Sequence, residues 1–210
     1  MKFSRGWAGF AAGAMLLLAG MGLAAGAQPA KPAAGPAVAA TAIFAGGCFW
    51  CLEADFDKLP GVIATESGYT GGKTPNPSYQ QVSAGGTGHT EAVRVSYDPA
   101  RVTYQQLVDY FWRHIDPTVK DRQFCDAGSQ YRSAIYWHDD NERRIAEASR
   151  DALLKGGRFP QVFTEIAAAS TFYPAEEYHQ DYYLKNPIRY AYYRRGCGRD
   201  ARVHEIWGGK

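Results

Sequence analysis

The stretch "TAIFAGGCFWCLEADFDKLPG", residues 41–61, passes from one periodicity to another within 21 residues. "TAIFAGG" (41–47) is a short apolar strand ending in glycines. From Phe49 the apolar positions Phe49, Leu52, Phe56 and Leu59 share one helical face, and Pro60-Gly61 stops the helix. The stretch is the first strand and helix of a βαβ unit. "VIATESGYTGG" (62–72) then supplies a strand running into a glycine turn. The segment "KTPNPSYQQVSAGGTGHT" (73–90) is too polar and too rich in Gly and Pro for a core element, so it is expected as a long loop. "EAVRVSYD" (91–98) alternates, with Val93, Val95 and Tyr97 on one face of a strand.

Thr103 and Gln106 form a capping-box pattern ahead of Leu107, Tyr110, Phe111 and Ile115, which predicts a helix. "RSAIYW" (132–137) is a further strand. "DDNERRIAEASRDALLK" (139–155) is a surface helix capped by Asp139 or Asp140, and "VFTEIAAA" (162–169) is another strand. Two βαβ passages followed by α-β predict an α+β fold, a two-layer sandwich with a ferredoxin-like (split βαβ) core. A loop-rich, tyrosine-rich tail is expected from about residue 172.

Outward to the amino terminus, Lys2 and Arg5 precede an apolar run that ends in Ala25, Gly26 and Ala27. This is the layout of a signal peptide over residues 1–27, against an uncleaved membrane anchor. Residues 28–40, all Ala, Pro, Gly, Gln, Lys and Val, read as a flexible linker. Residues 41–210 are then a single catalytic domain. Localisation is expected to be exported and periplasmic, with no stable membrane association once the chain is processed. Without Lys2 and Arg5 the 23 basic residues become 21, matching 21 acidic ones. A neutral chain with no basic cluster offers no footprint for nucleic acid.

Four cysteines in an oxidising compartment are compatible with two structural disulfides, but their settings differ. Cys48 lies where a strand meets a helix, and Gly46 and Gly47 let the backbone turn there. Helix-terminal N–H groups at such a turn favour a thiolate, and the alternative is a small buried hydrophobe. Cys51 follows one helical turn on, so a Cys48–Cys51 disulfide is sterically reasonable. A zinc site would need two further ligands at suitable spacing, and Cys125, Cys197, His89, His138 and His179 do not supply them. No metal is implied. Phe49 and Trp50 fill the gap between the two cysteines, where thioredoxin-like proteins carry small residues or proline. Two large rings beside a reactive sulfur call for an apolar group against them.

At this point the chain resembles the A-type peptide methionine sulfoxide reductases. "GCFWCLE" (47–53) is similar to that family's active-site motif, "GYTGG" (68–72) to the segment after its first helix, and "TGHTEAV" (87–93) to its glutamate-bearing strand. "DAGSQYRSAIY" (126–136) and "YHQDYYLKNP" (178–187) match two later blocks in the same order. The resemblance spans about residues 41–190. It implies reduction of methionine-S-sulfoxide, free or in proteins, through a cysteine sulfenic acid and then an intramolecular disulfide.

The resemblance makes Cys48 the nucleophile and Glu91 the acid that protonates the sulfoxide oxygen. It makes Tyr79 and Tyr131 hydroxyl donors to that oxygen, Asp126 a carboxylate near the same site, and Phe49 and Trp50 the wall for the substrate's S-methyl group. Family members often place a resolving cysteine soon after the Asn-Pro segment, where this chain has Ala191. Cys197, in "RRGCGRD" (194–200), and Cys51 are equal candidates for that role, with Cys125 behind them. The partners implied are methionine sulfoxide in peptides and proteins and a thioredoxin-like dithiol reductant. No cofactor is implied, since the chain carries no phosphate-binding glycine fingerprint. The alternative function is an exported thiol-disulfide oxidoreductase using Cys48 and Cys51.

Overall fold

The computed structural model describes residues 39–208. The expected signal peptide and residues 28–38 of the linker lie outside the described residues. The first strand, β1 (Ala40–Gly46), begins one residue ahead of the expected domain start. It leads into α1 (Phe49–Phe56), β2 (Val62–Thr70), α2 (Tyr79–Ala84), β3 (Thr90–Tyr97) and α3 (Tyr104–Trp112). The short β4 (Arg122–Gln123) and β5 (Asp126–Ala127) pair as a separate hairpin. Then come β6 (Ser133–Trp137), α4 (Asp140–Lys155), β7 (Glu165–Ala168), β8 (Tyr173–Pro174), α5 (Tyr182–Lys185), α6 (Pro187–Gly196) and α7 (Arg199–Trp207). Among the described residues no helix is long and apolar enough to cross a membrane.

The fold is mixed α and β around one six-stranded sheet of order β7-β6-β1-β3-β2-β8. Strand β3 lies between β1 and β2 and pairs antiparallel with both, and β6 pairs antiparallel with β1 on its other side. Period-two alternation on β1 sends Ala42 and Phe44 to one face and Ile43 and Ala45 to the other. Phe44 stacks on Phe56 of α1 and Phe111 of α3, with ring centroids 5.0 and 5.1 Å away. This aromatic cluster binds the helical layer to the sheet. On the opposite face Ile43, Ala45, Ala92, Ala134 and Tyr136 form a smaller cluster covered by Ala167, Ala169 and Phe172. Both faces of β1 from Ala42 onward and of β3 through Val93 are therefore buried, so the end of β1 that carries the site is packed from both sides.

Two expectations change. The polar segment 73–90 contains α2, because Ser78 and Gln81 make a reciprocal capping box that nucleates a short helix inside it. The tail beyond residue 172 is largely helical rather than loop-rich. Its apolar residues are mostly tyrosines, whose spacing gives a weak amphipathic signal, yet Val203, Ile206 and Trp207 of α7 are buried. The Thr103–Gln106 capping box and the Asp139 cap form as read.

Candidate active site

The strand-to-helix turn depends on Gly47. It adopts φ +82°, and a Cβ there would sit 2.5 Å from Cβ of Gln123. Gln123 cannot give way, because its side-chain amide is hydrogen-bonded to both the N–H and the carbonyl of Asp116. Cys48 is thus placed at the N-cap of α1 as a buried residue, 6% exposed.

A cavity of about 90 Å³ opens against Cys48, and it gathers Phe49, Trp50, Tyr79, Glu91, Asp126 and Tyr131 from five separate segments. Tyr193 of α6 completes the lining. Glu91 comes from β3, where it is paired across the ladder with Tyr69 and is 3% exposed. The Phe49 N–H donates to Glu91 Oε2 at 3.0 Å. Burial nevertheless pushes the Glu91 carboxyl up to about 8, with the Asp126 and Cys51 charges adding to it. The group therefore holds its proton at neutral pH.

This arrangement corrects the expectation of a helix-stabilised thiolate. The first free N–H of α1 is spent on Glu91. Burial, reinforced by Cys51 and Glu91, raises the Cys48 thiol, and only the Tyr193 hydroxyl opposes it. The resting pair is a neutral thiol beside a neutral carboxylic acid.

Tyr79 opens α2, which Ser78 and Gln81 cap, and Tyr131 closes the short 3₁₀ turn Ser129–Tyr131 that follows Gly128. Burial raises both phenols, which keeps them hydrogen-bond donors. Asp126 Oδ2 accepts the Tyr193 hydroxyl at 2.6 Å. The wall is braced from the tail. The Trp50 indole N–H donates to Nδ1 of buried His179 at 3.1 Å, and Tyr182 stacks on the indole at 3.8 Å. Burial lowers the His179 pKa, which keeps Nδ1 an acceptor. Glu176 ties the same segment to the site by accepting the Tyr79 N–H and the Tyr69 hydroxyl.

Tyr193, His179 and Glu176 were not found from the sequence. One tyrosine among 14 carries no local signal, and the other two act through long-range hydrogen bonds.

Cys51 is free and 2% exposed, as befits the inner face of α1. Its hydrogen bond with Cys48, and then the Arg199 and Arg194 charges, pull its thiol down. Those guanidinium groups also flank buried Asp55, at 2.9 Å for Arg194 and 3.6 Å for Arg199. Cys197, one of the two favoured resolving candidates, is joined to Cys125 in a disulfide. Sequence separation of 72 hides this pairing, which arises because the β4–β5 hairpin lies against the C-terminus of α6. The disulfide also differs from the alternative of two structural bridges, since Cys48 and Cys51 remain thiols.

Glu53 of α1 is fully buried, accepts the Asp181 N–H at 3.1 Å, and among the described residues its Oε1 has no hydrogen-bond partner. Burial, then the Asp181 and Asp57 charges, push it up to about 8. An acid raised in the folded state contributes its stability fully below the unfolded value near 4.3 and loses it as pH climbs to about 8. Glu53→Gln is expected to raise Tm relative to wild type at about pH 9 and to change it little at about pH 4. Equal shifts at both pH values, measured by thermal unfolding, would contradict this account.

Residues 40–210 match the family described as peptide methionine sulfoxide reductase. A relative named peptide methionine sulfoxide reductase MsrA from Bacillus licheniformis is 49% identical over 170 residues, covering 80% of this chain and 94% of its own length. MsrA 2 of Caulobacter vibrioides is 50% identical over 181 residues, covering 84% of this chain and 92% of its own. Among solved structures, methionine sulfoxide reductase A of Corynebacterium diphtheriae is 40% identical with a TM-score of 0.65, over 71% of this chain and 76% of that one. The reduced form of Saccharomyces cerevisiae Mxr1 is 35% identical with a TM-score of 0.67, over 73% and 89%.

Proposed function

The chain belongs to the peptide methionine sulfoxide reductase family, and we propose that its Cys48 cavity reduces the S epimer of methionine sulfoxide, free or in oxidised proteins. The observation that carries this reading is a buried acid, Glu91, holding its proton beside a cysteine and an aromatic wall. Sulfoxide oxygen is a poor leaving group until it is protonated. Glu91 supplies the proton while Tyr79 and Tyr131 donate hydrogen bonds to the same oxygen. The S-methyl group packs on Phe49 and Trp50, whose rings suit a polarisable sulfur. Asp126 acts through the Tyr193 hydroxyl that it holds.

The steps balance. Cys48 sulfur bonds to the substrate sulfur, the oxygen passes to Cys48 as S–OH, and methionine leaves as a thioether. The thiol proton returns to the Glu91 carboxylate. The substrate sulfur gains two electrons and Cys48 loses two. A second thiol of the chain then displaces water to form an intramolecular disulfide, which a thioredoxin-like dithiol protein reduces by exchange.

Chirality follows from the same geometry. With the methyl group fixed on the rings and the oxygen fixed on three donors, only one configuration presents its sulfur to Cys48. Given racemic methionine sulfoxide and excess dithiothreitol, the protein is expected to consume half and stop, with the R epimer remaining on chiral chromatography. Consumption of both epimers at similar rates would overturn this reading.

The signal peptide and periplasmic localisation belong to this proposal, supported by Lys2, Arg5, the apolar run and Ala25–Gly26–Ala27. So does the ferredoxin-like description of the core, which the order β6-β1-β3-β2 with intervening α1 and α3 supports.

A further inference from the structure

Reduction of a sulfoxide at Cys48 leaves an oxidised protein, and the sulfurs nearest the chemistry are shut away from any protein reductant. Cys48 is 6% exposed and Cys51 2%. Thiol-disulfide exchange needs the attacking sulfur to reach the target sulfur directly, so a disulfide confined to these two is a poor substrate for another protein. Cys125 is exposed, at the tip of the β4–β5 hairpin. Building on the function proposed above, we infer that Cys125 is the recycling cysteine: oxidising equivalents leave Cys48 through Cys197 and exit at the Cys125–Cys197 disulfide, where the external dithiol attacks Cys125 Sγ.

The connection between the two sulfur centres runs through Tyr193 and Asp126. Tyr193 lines the Cys48 cavity, where it draws the thiol down against burial, and its hydroxyl donates to Asp126 Oδ2 at 2.6 Å. The same oxygen lies 3.9 Å from Cys197 Sγ, and Asp126 Oδ1 lies 3.7 Å from Cys125 Sγ. Cys197 stands one helical turn beyond Tyr193, with its N–H donating to the Tyr193 carbonyl. One tyrosine and one carboxylate therefore link Cys48 to both members of the pair. Asp126 is placed to accept the proton of whichever thiol attacks.

The backbone on either side of the pair takes left-handed conformations. Phe124, immediately before Cys125, is held at φ +53°, a conformation that a bulky side chain rarely adopts. Gly198, immediately after Cys197, has φ +70° with open space around its Cα.

The electron and atom balance is complete with one external dithiol. Cys197 thiol attacks the Cys48 sulfenic sulfur, forming Cys48–Cys197 and releasing water. Cys125 attacks Cys197 Sγ, forming Cys125–Cys197 and returning Cys48 as a thiol with the proton Cys125 gave up. The dithiol attacks Cys125, Cys197 leaves as a thiol, and the second sulfur of the dithiol frees Cys125. Substrate and reductant then use different surfaces of the protein.

The test uses full-length protein reduced with dithiothreitol and desalted without oxygen, then given one equivalent of methionine-S-sulfoxide. Wild type is expected to release one equivalent of methionine and, on mass mapping, to carry Cys125–Cys197 with Cys48 free. Cys125→Ser is expected to release the same first equivalent but to trap Cys48–Cys197. Its steady-state turnover with thioredoxin, thioredoxin reductase and NADPH should fall at least about ten-fold. Wild-type turnover of Cys125→Ser in that assay, or a Cys48–Cys51 link in its trapped form, would overturn the inference. A purely structural disulfide would leave wild-type Cys125 and Cys197 as thiols after the anaerobic turnover. Failure of wild type to release methionine would instead sink the function on which the inference rests.

Discussion

Cys48→Ser is expected to lose methionine release by at least about 10⁴-fold while folding normally. The substitution keeps the size of the side chain, and the turn is set by Gly47 and Gln123 rather than by the sulfur. What disappears is, among the described residues that line the cavity, the one sulfur that can accept the sulfoxide's oxygen and be reduced again. A hydroxyl at the same place is a far weaker nucleophile and has no sulfenic state. Substrate binding should survive, because the aromatic wall and the hydroxyl donors are unchanged. The measurement pairs single-turnover methionine release with binding by calorimetry. Residual release within about ten-fold of wild type would mean that another thiol does the chemistry.

Glu91→Gln is expected to lower kcat by about 10²–10⁴-fold, the range typical of a deleted general acid. Glutamine can still accept the Phe49 N–H, as Glu91 Oε2 does, so the start of α1 keeps its partner. It cannot give a proton to the leaving oxygen. The pH profile separates this role from simple packing. Glu91 sits at about 8 because burial favours its neutral form. Activity requires that form, so it should hold below about pH 8 and fall as pH rises through the Glu91 value, roughly ten-fold per unit. In Glu91→Gln that alkaline fall should vanish along with most of the rate. A dithiol exchange protein working through Cys48 and Cys51 would scarcely respond to the same change, which distinguishes the two functions. Unaltered kcat in Glu91→Gln would remove the acid from the mechanism.

The parts of the fold readable from the sequence were those with local causes. The strand-to-helix passage at 41–59 follows from a change of hydrophobic period around two glycines, and α3 follows from its capping box. The β4–β5 hairpin was not readable, since two-residue strands carry no periodicity. The tail was misjudged because its tyrosines are mostly only partly buried and because a charged residue sits in its interior: Arg199 is fully buried, donating to the carbonyls of Gly46 and His114. The structure brings the seven expected cavity residues together, but the resemblance rather than local pattern had singled out Tyr79, Glu91, Tyr131 and Asp126. The supports were invisible in the sequence. His179 holds Trp50 from 129 positions away and Tyr193 holds Asp126 from 67. The ionisation of Cys48 was misread because burial favours the neutral thiol, and Cys51 and Glu91 beside it add to that effect.

In the proposed reaction Cys48 takes the sulfoxide oxygen as a sulfenic acid. The most direct test of this step is a single anaerobic turnover of the Cys51→Ser/Cys197→Ser double variant, checked by circular dichroism for a native fold, with methionine-S-sulfoxide in the presence of dimedone. The account predicts one equivalent of methionine and one dimedone adduct, on Cys48. Methionine release with Cys48 unmodified, or no release from the folded variant, would contradict it.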